Sequence, residues 1–547
     1  MRAAMWEAGL AAQATWDGIN EALDANDMVG AAVIAEAMLA TGVRHPTLLN
    51  IAAWHKEEQG DFAAAHALLT QALRMDPNDP LVRLSVGAVM RKQGRLDEAL
   101  AVFAPLEALI SDNPAFWLER GYALDAGGAL EAAIADFDQA IVLDPQSPPS
   151  IAARASALAR LGRSDEARVA ATRALALDPR NVTALLAEAR CDFDTGNFAS
   201  ARDILVALIA RDDVHIADRV PALGLLGDAH DRLDAVDAAF SAYSDANASF
   251  QRQHVAAVDP DEPLQSAFIG WIGTAVGAVD PKRWLAAAVQ PQTLRQPKRG
   301  HAFLLGYPRS GTTLVENILA SAQGVEAVEE RPTLGAAEAA FLDGGGGIAR
   351  LAGLDAVGLA PFVKAYWDKV ASYGIDPATR LFVDMDPLKG MKLPLIAKLF
   401  PDARIIVMRR DPRDVVWSCF HTNFVLSGAS REFATLEGAA RHYDALMGLT
   451  EQCFAAFPLA VHELRYDALI SEFDATTQAL CAFLDIAWSP DLRAFDKTAA
   501  RRGVKTASAS QVRKGLYDGR RQWQRYETQM AGVMPTLMPW VERFGFR

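Results

Sequence analysis

A period of 34 residues runs through the first half of this 547-residue chain and constrains its fold more than any other feature. Glycine recurs at that spacing, and an alanine stands five residues after each glycine. The glycines are Gly60, Gly94, Gly128, Gly162 and Gly196, and the alanines are Ala65, Ala99, Ala133, Ala167 and Ala201. Glycine permits a tight turn between two helices, and the small alanine lets those helices approach closely. The period therefore predicts stacked helical hairpins.

The start of each hairpin carries its own signal. Pro46, Pro80, Pro114 and Pro148 keep the same step, and Val182 stands at the fifth position. Proline is favoured in the first turn of a helix. A helix–turn–helix unit of this length is typical of tetratricopeptide repeats, which residues 45–213 resemble. The concave face of such a solenoid can bind a peptide or serve as a scaffold or dimerisation surface, and both readings stay open.

The predicted domain order follows from this array and from what comes after it. We expect degenerate helices at 1–44, the repeat array with terminal capping helices at 45–252, and connecting helices with a proline-rich linker at 253–300. Residues 301–547 alternate short apolar runs with helical patterns, which predicts an α/β domain. The predicted fold class is α + α/β: a helical solenoid followed by a P-loop-like α/β domain with a mainly parallel sheet.

Short apolar runs mark the predicted strands of the second domain. The strands are Ala302–Gly306, Arg380–Asp384, Arg404–Met408 and Pro458–Leu464, and two of the helices between them are Thr312–Ala322 and Leu388–Phe400.

Charge and cysteine usage bound the class of protein. The net charge of −14 lies in residues 1–300, since residues 301–547 hold equal numbers of basic and acidic residues. This distribution argues against nucleic-acid binding. The four cysteines lack C-x-x-C spacing, and the chain shows neither a leader-like start nor an 18-residue apolar run. We expect a soluble cytoplasmic protein with reduced thiols, no bound metal and no membrane partner.

One loop carries the strongest functional signal. Residues 303–313 read Phe-Leu-Leu-Gly-Tyr-Pro-Arg-Ser-Gly-Thr-Thr, an apolar strand that enters a turn with the glycine spacing of a phosphate-binding loop. Thr312 stands where nucleotide triphosphatases place a lysine, and the cation of this loop is Arg309. Backbone N–H groups at the start of the next helix can still hold an anion. The loop predicts a bound phosphate-type group without metal-assisted ATP chemistry and disfavours a kinase or nucleotide triphosphatase.

A second motif follows the strand predicted at 404–408. Residues 409–418 read Arg-Arg-Asp-Pro-Arg-Asp-Val-Val-Trp-Ser, which places a guanidinium at Arg410 and a hydroxyl at Ser418 near one strand–helix junction. Together these groups can hold a second phosphate.

In order and spacing, the two motifs closely resemble those of the sulfotransferases, and the loop shares features with tyrosylprotein sulfotransferases. With its repeats, the chain resembles bacterial tetratricopeptide–sulfotransferase proteins. The resemblance implies that the co-substrate is 3′-phosphoadenosine 5′-phosphosulfate, with Arg410 and Ser418 on its 3′-phosphate. The implied ligands of the 5′-phosphosulfate are Arg309, Ser310, Gly311, Thr312 and Thr313.

Two later segments extend the resemblance. Tyr466 lies in a stretch similar to the family's Tyr-Glu-Asp-Leu segment, which implies a place near the adenine. The segment 508–515 resembles the part of the family that closes over the nucleotide, and residues 501–525 carry eight basic residues against one acid. The implied nucleotide contacts there are Ser508, Arg513, Lys514 and Gly515.

The general base is predicted from the same resemblance. Glu329-Glu330-Arg331 is similar to the paired glutamates of tyrosylprotein sulfotransferases, whose second member is catalytic, so Glu330 is the expected base. Alternatives are Glu329, His301 and His421, or two surface glutamates at a helix start.

One position departs from the family. Sulfotransferases usually carry a lysine after the strand that here ends at Asp384, and Met385 occupies its place. Lys389 or Lys392 can replace that charge, or Arg309 acts alone, or turnover is weak. We hypothesise that Lys389 compensates, on the premise that it lies one helical turn from Met385.

The predicted function is sulfuryl transfer to a hydroxyl of a protein, peptide or small acceptor, with the repeats as a possible peptide holder and a homodimer as a possible assembly. The alternative is a nucleotide-binding interaction protein whose sulfotransferase domain is weak or inactive, a reading that Met385 favours.

Overall fold

The computed structural model describes residues 15–25, 27–255, 258–259, 261–285, 300–376, 380–502, 512 and 515–546. The chain divides into two compact units, Met1–Ala210 and Arg211–Arg547. Within the described ranges, no helix combines the length and apolar character needed to cross a bilayer.

The first unit is built from paired helices. They are α1 (15–24), α2 (Met28–Ala40), α3 (Pro46–Glu58), α4 (Phe62–Met75), α5 (Pro80–Lys92), α6 (Leu96–Phe103), α7 (Glu107–Ile110), α8 (Pro114–Ala126), α9 (Leu130–Leu143), α10 (Pro148–Arg160), α11 (Ser164–Leu177), α12 (Val182–Asp194) and α13 (Phe198–Ile209). The four periodic prolines begin α3, α5, α8 and α10, as the sequence predicts.

The periodic small residues do what their spacing predicts. All five glycines adopt positive φ, between 77° and 87°, in the turns between paired helices. All five alanines are fully buried. Close approach is also visible at Gly87, where an added Cβ would lie 2.3 Å from the ring of Phe103. The prediction of a tetratricopeptide-type helical solenoid is confirmed.

The second unit contains a five-stranded sheet in the order β2-β3-β1-β4-β5, with every pairing parallel. The strands are β1 (His301–Leu305), β2 (Val325–Glu329), β3 (Leu381–Met385), β4 (Arg404–Arg409) and β5 (Ala460–Arg465). The first four are mostly buried, because helices cover both faces of the sheet.

The helices of this unit are distributed before, between and after the strands. They are α14 (Ile216–Arg232), α15 (Val236–His254), α16 (Gln265–Gly277), α17 (Pro281–Leu285), α18 (Thr312–Ala320), α19 (Gly335–Phe341), α20 (Gly347–Gly353), α21 (Ala356–Ser372), α22 (Leu393–Leu399), α23 (Pro412–His421), α24 (Gly428–Phe433), α25 (Leu436–Ala456), α26 (Tyr466–Ser471), α27 (Phe473–Leu484), α28 (Phe495–Arg502), α29 (Glu527–Met530) and α30 (Met534–Arg543). Short 3₁₀ turns join some of them, including Pro387–Lys392 and Gln522–Tyr526.

Two local predictions were wrong. Strand β2 was not predicted; Glu329 is its last residue and Glu330 follows it, so the alternative that these glutamates start a helix does not hold. The helix predicted over Leu388–Phe400 is a 3₁₀ turn followed by the short α22. Lys389 is therefore not one helical turn from Met385, because Met385 is the last residue of β3.

The helix pair α14–α15 belongs to the second unit, although its repeat phase predicts capping helices of the array. Asn247 on α15 donates a 2.9 Å hydrogen bond to the carbonyl of Phe420 on α23. The hydroxyl of Tyr526 donates to Asp231, and Arg525 pairs with Asp234 at 2.9 Å. The domain boundary drawn from sequence at residue 252 stays a prediction, but these contacts favour a boundary near residue 211.

Truncation tests where the second unit begins. We expect a variant starting at residue 211 to unfold cooperatively with the stability of the second unit in the full chain. A variant starting at residue 256 loses α15, which covers Trp417 and Phe420, two side chains at most 4% exposed. Exposing these side chains to water should lower the free energy of unfolding by about 1.5–3 kcal/mol for each large apolar side chain. Urea titration and gel filtration check this, and equal stability of the two variants would contradict it.

Candidate functional site

Several of the predicted site residues lie at the carboxyl edge of the parallel sheet, together with Asp386, which was not predicted. The strand order places Glu330 after β2, Asp386 after β3, the loop with Arg309 after β1, Arg410 after β4 and Tyr466 after β5. Ligands of such sheets bind at this edge, beside the switch in strand order. Two motifs separated by roughly 100 residues in sequence therefore become neighbours, because β1 and β4 pair directly.

The loop after β1 is shaped by close contacts. Its Gly311 adopts φ +109° and caps α18, and an added Cβ there would lie 3.0 Å from both Met408 and Tyr466. The hydroxyl of Ser310 accepts a 3.2 Å bond from the N–H of Tyr307 and closes the turn. The N-cap residue of α18 is Gly311, which has no side chain to cap the helix, so the positive end of the helix dipole faces this turn. Ser310, like Thr312 and Thr313 behind it, is buried.

Arg309 is held in this loop by its partners. It adopts a left-handed φ of +70°, and its Nε donates a 3.0 Å bond to the hydroxyl of Ser418 on α23. Its carbonyl accepts a 2.7 Å bond from Nη1 of Arg410. Burial, reinforced by repulsion from Arg410, lowers the pKa of Arg309 to about 10. A bound anion would relieve that repulsion.

Arg410 is held at this edge by contacts with two carbonyls and one aromatic ring. Its Nη2 donates a 2.5 Å bond to the carbonyl of Gly519, and its guanidinium lies 4.8 Å from the ring of Tyr466. Its buried Nε has no hydrogen-bond partner among the described residues. A buried donor without an acceptor is costly, and an oxygen of a bound phosphate would satisfy it.

These cations face a cleft of about 560 Å³, including its open mouth. It is lined by Arg309, Gly311, Leu314, Arg410, Ser418, His421, Tyr466, Val512, Gly515, Tyr517 and Gln522. Four of these lining residues, Leu314, Val512, Tyr517 and Gln522, were not predicted from the sequence. Of the predicted closing segment, Gly515 lines the cleft with φ +90°, whereas Ser508, Arg513 and Lys514 lie outside the described residues.

The far wall of the cleft is anchored by polar contacts that no motif predicts. The hydroxyl of Tyr466 donates a 2.5 Å bond to the carbonyl of Tyr517. Asp414, at the start of α23, accepts the N–H of Arg521 at 2.8 Å and that of Trp523 at 3.1 Å. The C-terminal turn is thus tied to the helix that carries Ser418.

Glu330 lies apart from this cleft, on the other side of β1. It follows β2 with φ +45°, and its N–H donates a 2.8 Å bond to the carbonyl of Met385. Two strand spacings separate β2 from β1, roughly 10 Å. Burial against the surrounding protein, with the nearby carboxylates of Asp386, Glu329 and Glu316, raises the pKa of Glu330 to about 7. The residue as a whole is nevertheless exposed, so a substrate can reach it.

Lys389 is not among the cleft-lining residues. It is fully buried, where its Nζ pairs with Asp384 and donates a 3.3 Å bond to the carbonyl of Arg331. The other oxygen of Asp384 accepts from Thr333 at 2.7 Å and from Tyr366 at 2.9 Å. This buried network ties the segment just after Glu330 to the end of β3. The hypothesis that Lys389 reaches a transferring group stays a prediction.

Two further residues that the sequence analysis considered, Met385 and His301, are buried in the interior of the domain. Met385 is fully buried in the apolar core under the sheet. His301 is enclosed by aromatic rings, and its Nε2 lies 2.8 Å from the hydroxyl of Tyr366. Burial lowers the pKa of His301 to about 3, which makes it a poor base.

Comparison with known families agrees with this arrangement. Residues 302–490 match the family model described as sulfotransferase family. The match runs from β1 to Pro490, which begins the 3₁₀ turn Pro490–Ala494 after α27. Residues 302–490 form a sulfotransferase-family domain. Tetratricopeptide repeat models match residues 57–120, 104–148 and 165–223. The chain therefore combines tetratricopeptide repeats with a sulfotransferase domain.

Individual relatives add little about activity. An uncharacterised protein of Aquifex aeolicus is 30% identical over 260 residues, which cover 44% of this chain and 32% of that protein. The chain thus spans about a third of the length of the curated relative that it matches.

Two solved structures are similar to part of this chain. A thermophilic tetratricopeptide protein of Thermus thermophilus is 21% identical, covering 33% of this chain and 98% of that one, with a TM-score of 0.31. A tetratricopeptide protein of Parabacteroides merdae is 19% identical, covering 39% and 86%, with a TM-score of 0.30.

The buried pair in the sulfotransferase domain gives a stability prediction. Lys389→Ala leaves the carboxylate of Asp384 buried without its cation, which costs about 3–5 kcal/mol of unfolding free energy. The double variant Lys389→Met/Asp384→Asn removes both charges and keeps an acceptor for Thr333 and Tyr366, so we expect it to recover most of that loss. Chemical denaturation measures the free energy of unfolding of the single and the double variant. A single variant as stable as wild type would show that the pair contributes nothing to folding.

Proposed function

We propose that this chain transfers a sulfuryl group from 3′-phosphoadenosine 5′-phosphosulfate to an acceptor hydroxyl. The observation that carries the proposal is the arrangement of two guanidinium groups at the N-terminus of α18: that of Arg410 is buried and its Nε has no hydrogen-bond partner among the described residues, and that of Arg309 is half-buried. Such a site suits a ligand with two anionic groups. The sulfotransferase-family match supports the reaction class, and the donor itself is our inference from the motifs.

The strand order supports one orientation of the donor. Arg410, Ser418 and the ring of Tyr466 lie over β4 and β5, where they would hold the 3′-phosphate and the adenosine. The loop residues Arg309 to Thr313 would hold the 5′-phosphosulfate over β1, with Gly515 beside the nucleotide. The acceptor then approaches over β3 and β2, where Glu330 lies.

The proposed chemistry is an in-line displacement at sulfur. The acceptor oxygen forms a bond to sulfur while the bond from sulfur to the phosphate oxygen breaks, and adenosine 3′,5′-bisphosphate leaves. Glu330 takes the hydroxyl proton, for which a pKa of about 7 is well matched near neutral pH. Arg309 and the N–H groups of α18 stabilise the charge that moves to the leaving phosphate. Lys389 acts as a positioning residue, through the backbone after Glu330.

A nucleotide-binding interaction protein with a weak or inactive domain is the second candidate. Met385 favours it, because the residue that ends β3 carries no positive charge to offer to the transferring group. Two measurements distinguish the enzyme from the interaction protein. The first is thermal stabilisation of the chain by adenosine 3′,5′-bisphosphate, and the second is transfer of ³⁵S from the labelled donor to acceptors in a cell extract. Stabilisation without transfer would favour the interaction protein, and no stabilisation would exclude both.

The acceptor class is proposed from the other half of the chain. Tetratricopeptide repeats suggest binding of protein partners, so we propose a protein or peptide acceptor held by the array. The test compares two proteins, the full chain and a variant that lacks residues 1–210. The ³⁵S-labelled products that each forms in a cell extract should differ if the array selects the acceptor.

Arg309→Ala is expected to remove almost all transfer activity. Removing one donor that stabilises developing charge costs about 10²–10³ in kcat. Steady-state kinetics with the ³⁵S donor measure the loss. Arg380→Ala is the matched control, since Arg380 precedes β3 at the opposite edge of the sheet and pairs with Glu326. Retained activity of the Arg309 variant would refute the mechanism.

The pH dependence of transfer tests the base. Because Glu330 works deprotonated, kcat/KM should rise as pH passes its pKa of about 7 and then level off. Asp386→Asn removes a carboxylate that raises this pKa, so the acidic limb should move to lower pH. The amide oxygen can still accept the N–H of Leu388, as Asp386 does at 2.9 Å.

The control for this shift is Asp368→Asn, which alters an exposed carboxylate paired with Lys364. Its profile should match that of wild type. An acidic limb that stays in place in Asp386→Asn, or persists in Glu330→Gln, would assign the titration to another group.

A further inference from the structure

His421 lines the donor cleft but has no part in the proposed reaction. It ends α23, one helical turn after Ser418, so the two side chains lie on the same face of the helix. Its Nδ1 lies 2.9 Å from the carbonyl oxygen of Trp417. A carbonyl only accepts, so Nδ1 carries the proton and Nε2 keeps a lone pair. No described residue hydrogen-bonds that Nε2.

The imidazole is held in place and kept neutral. The ring of Trp417 lies 5.2 Å away and that of Tyr243, from α15, lies 5.4 Å away. Burial, with repulsion from Arg309 and Arg410, lowers the pKa of His421 to about 4. At neutral pH the side chain is therefore a fixed acceptor in a cleft whose other functional groups are mainly cations and hydroxyls.

An acceptor nitrogen selects among the groups of the proposed donor. Ionised phosphate and phosphosulfate oxygens carry no proton to donate, so a lone pair would repel them. The remaining hydrogen-bond donors are the adenine amino group and the ribose 2′-hydroxyl. The 2′-hydroxyl lies on the carbon next to the 3′-phosphate, and His421 lies one turn from Ser418, the proposed 3′-phosphate ligand.

We propose that Nε2 of His421 accepts a hydrogen bond from the ribose 2′-hydroxyl, so that the cleft selects ribonucleotides over 2′-deoxyribonucleotides. The inference rests on the proposed function and adds to it a residue that determines specificity for the sugar. The helix pair α14–α15 contributes to this specificity, because Tyr243 on α15 packs against the imidazole of His421.

Calorimetry on the full chain tests the proposal with two probes, adenosine 3′,5′-bisphosphate and its 2′-deoxy analogue. We expect wild type to bind the ribonucleotide about 3- to 10-fold tighter, the range that one net hydrogen bond supplies. His421→Phe keeps a planar ring and should reduce that ratio to near one, mainly by weakening ribonucleotide binding. His421→Gln can still present an acceptor oxygen and should retain part of the preference.

His462→Phe is the matched control. His462 lies on β5, stacked 5.1 Å from Phe483, and does not line the cleft, so its ribo-to-deoxy ratio should equal that of wild type. Equal affinities in wild type, or a full preference in His421→Phe, would overturn the role of His421 while the proposed function stands. Failure of wild type to bind either probe would overturn the proposed function as well.

Discussion

The guanidinium of Arg410 holds the site together. One of its terminal nitrogens binds the carbonyl of Arg309, the other binds the carbonyl of Gly519, and its plane lies over Tyr466. Three segments that are distant in sequence thus meet on one buried charge. The arrangement is electrostatically unfavourable without a counter-ion, since Arg309 lies next to it and has a lowered pKa. Folding therefore builds a site whose own repulsion favours a bound anion.

The five-stranded order gives the edge two chemically different halves. The β1–β4–β5 side gathers cations and a tyrosine, whereas the β3–β2 side gathers the carboxylates of Asp386, Glu329 and Glu330. Burial, with repulsion from the neighbouring carboxylates, raises the pKa of Glu330 to about 7 and so favours its protonated form until about neutral pH. In the proposed reaction the first half holds the donor and the second half accepts the proton. A parallel sheet allows this separation because its strands end on one edge at fixed spacing.

The sequence predicted what local chain geometry determines. The repeats, four strands, and the placement of Arg309, Arg410 and Tyr466 follow from strand–loop–helix patterns that need no distant partner. Strand β2 was missed because Val-Glu-Ala-Val-Glu is short and carries two charges, and only its pairing with β3 makes it a strand. The contacts of Tyr243 with His421 depend on a helix more than 170 residues earlier, and no motif records such a contact.

The missing lysine at Met385 can be understood from the network beneath it. Lys389 is near in sequence, but its charge neutralises Asp384 inside the protein and orders the backbone at Arg331. Withdrawing it toward the cleft would leave that carboxylate buried and unpaired, at a cost of about 3–5 kcal/mol. This cost is comparable to the roughly 3–4 kcal/mol that one extra donor brings to a transition state, so the exchange would gain little. In the proposed mechanism Arg309 therefore carries the charge of the transferring group, and Lys389 contributes only by fixing the position of Glu330.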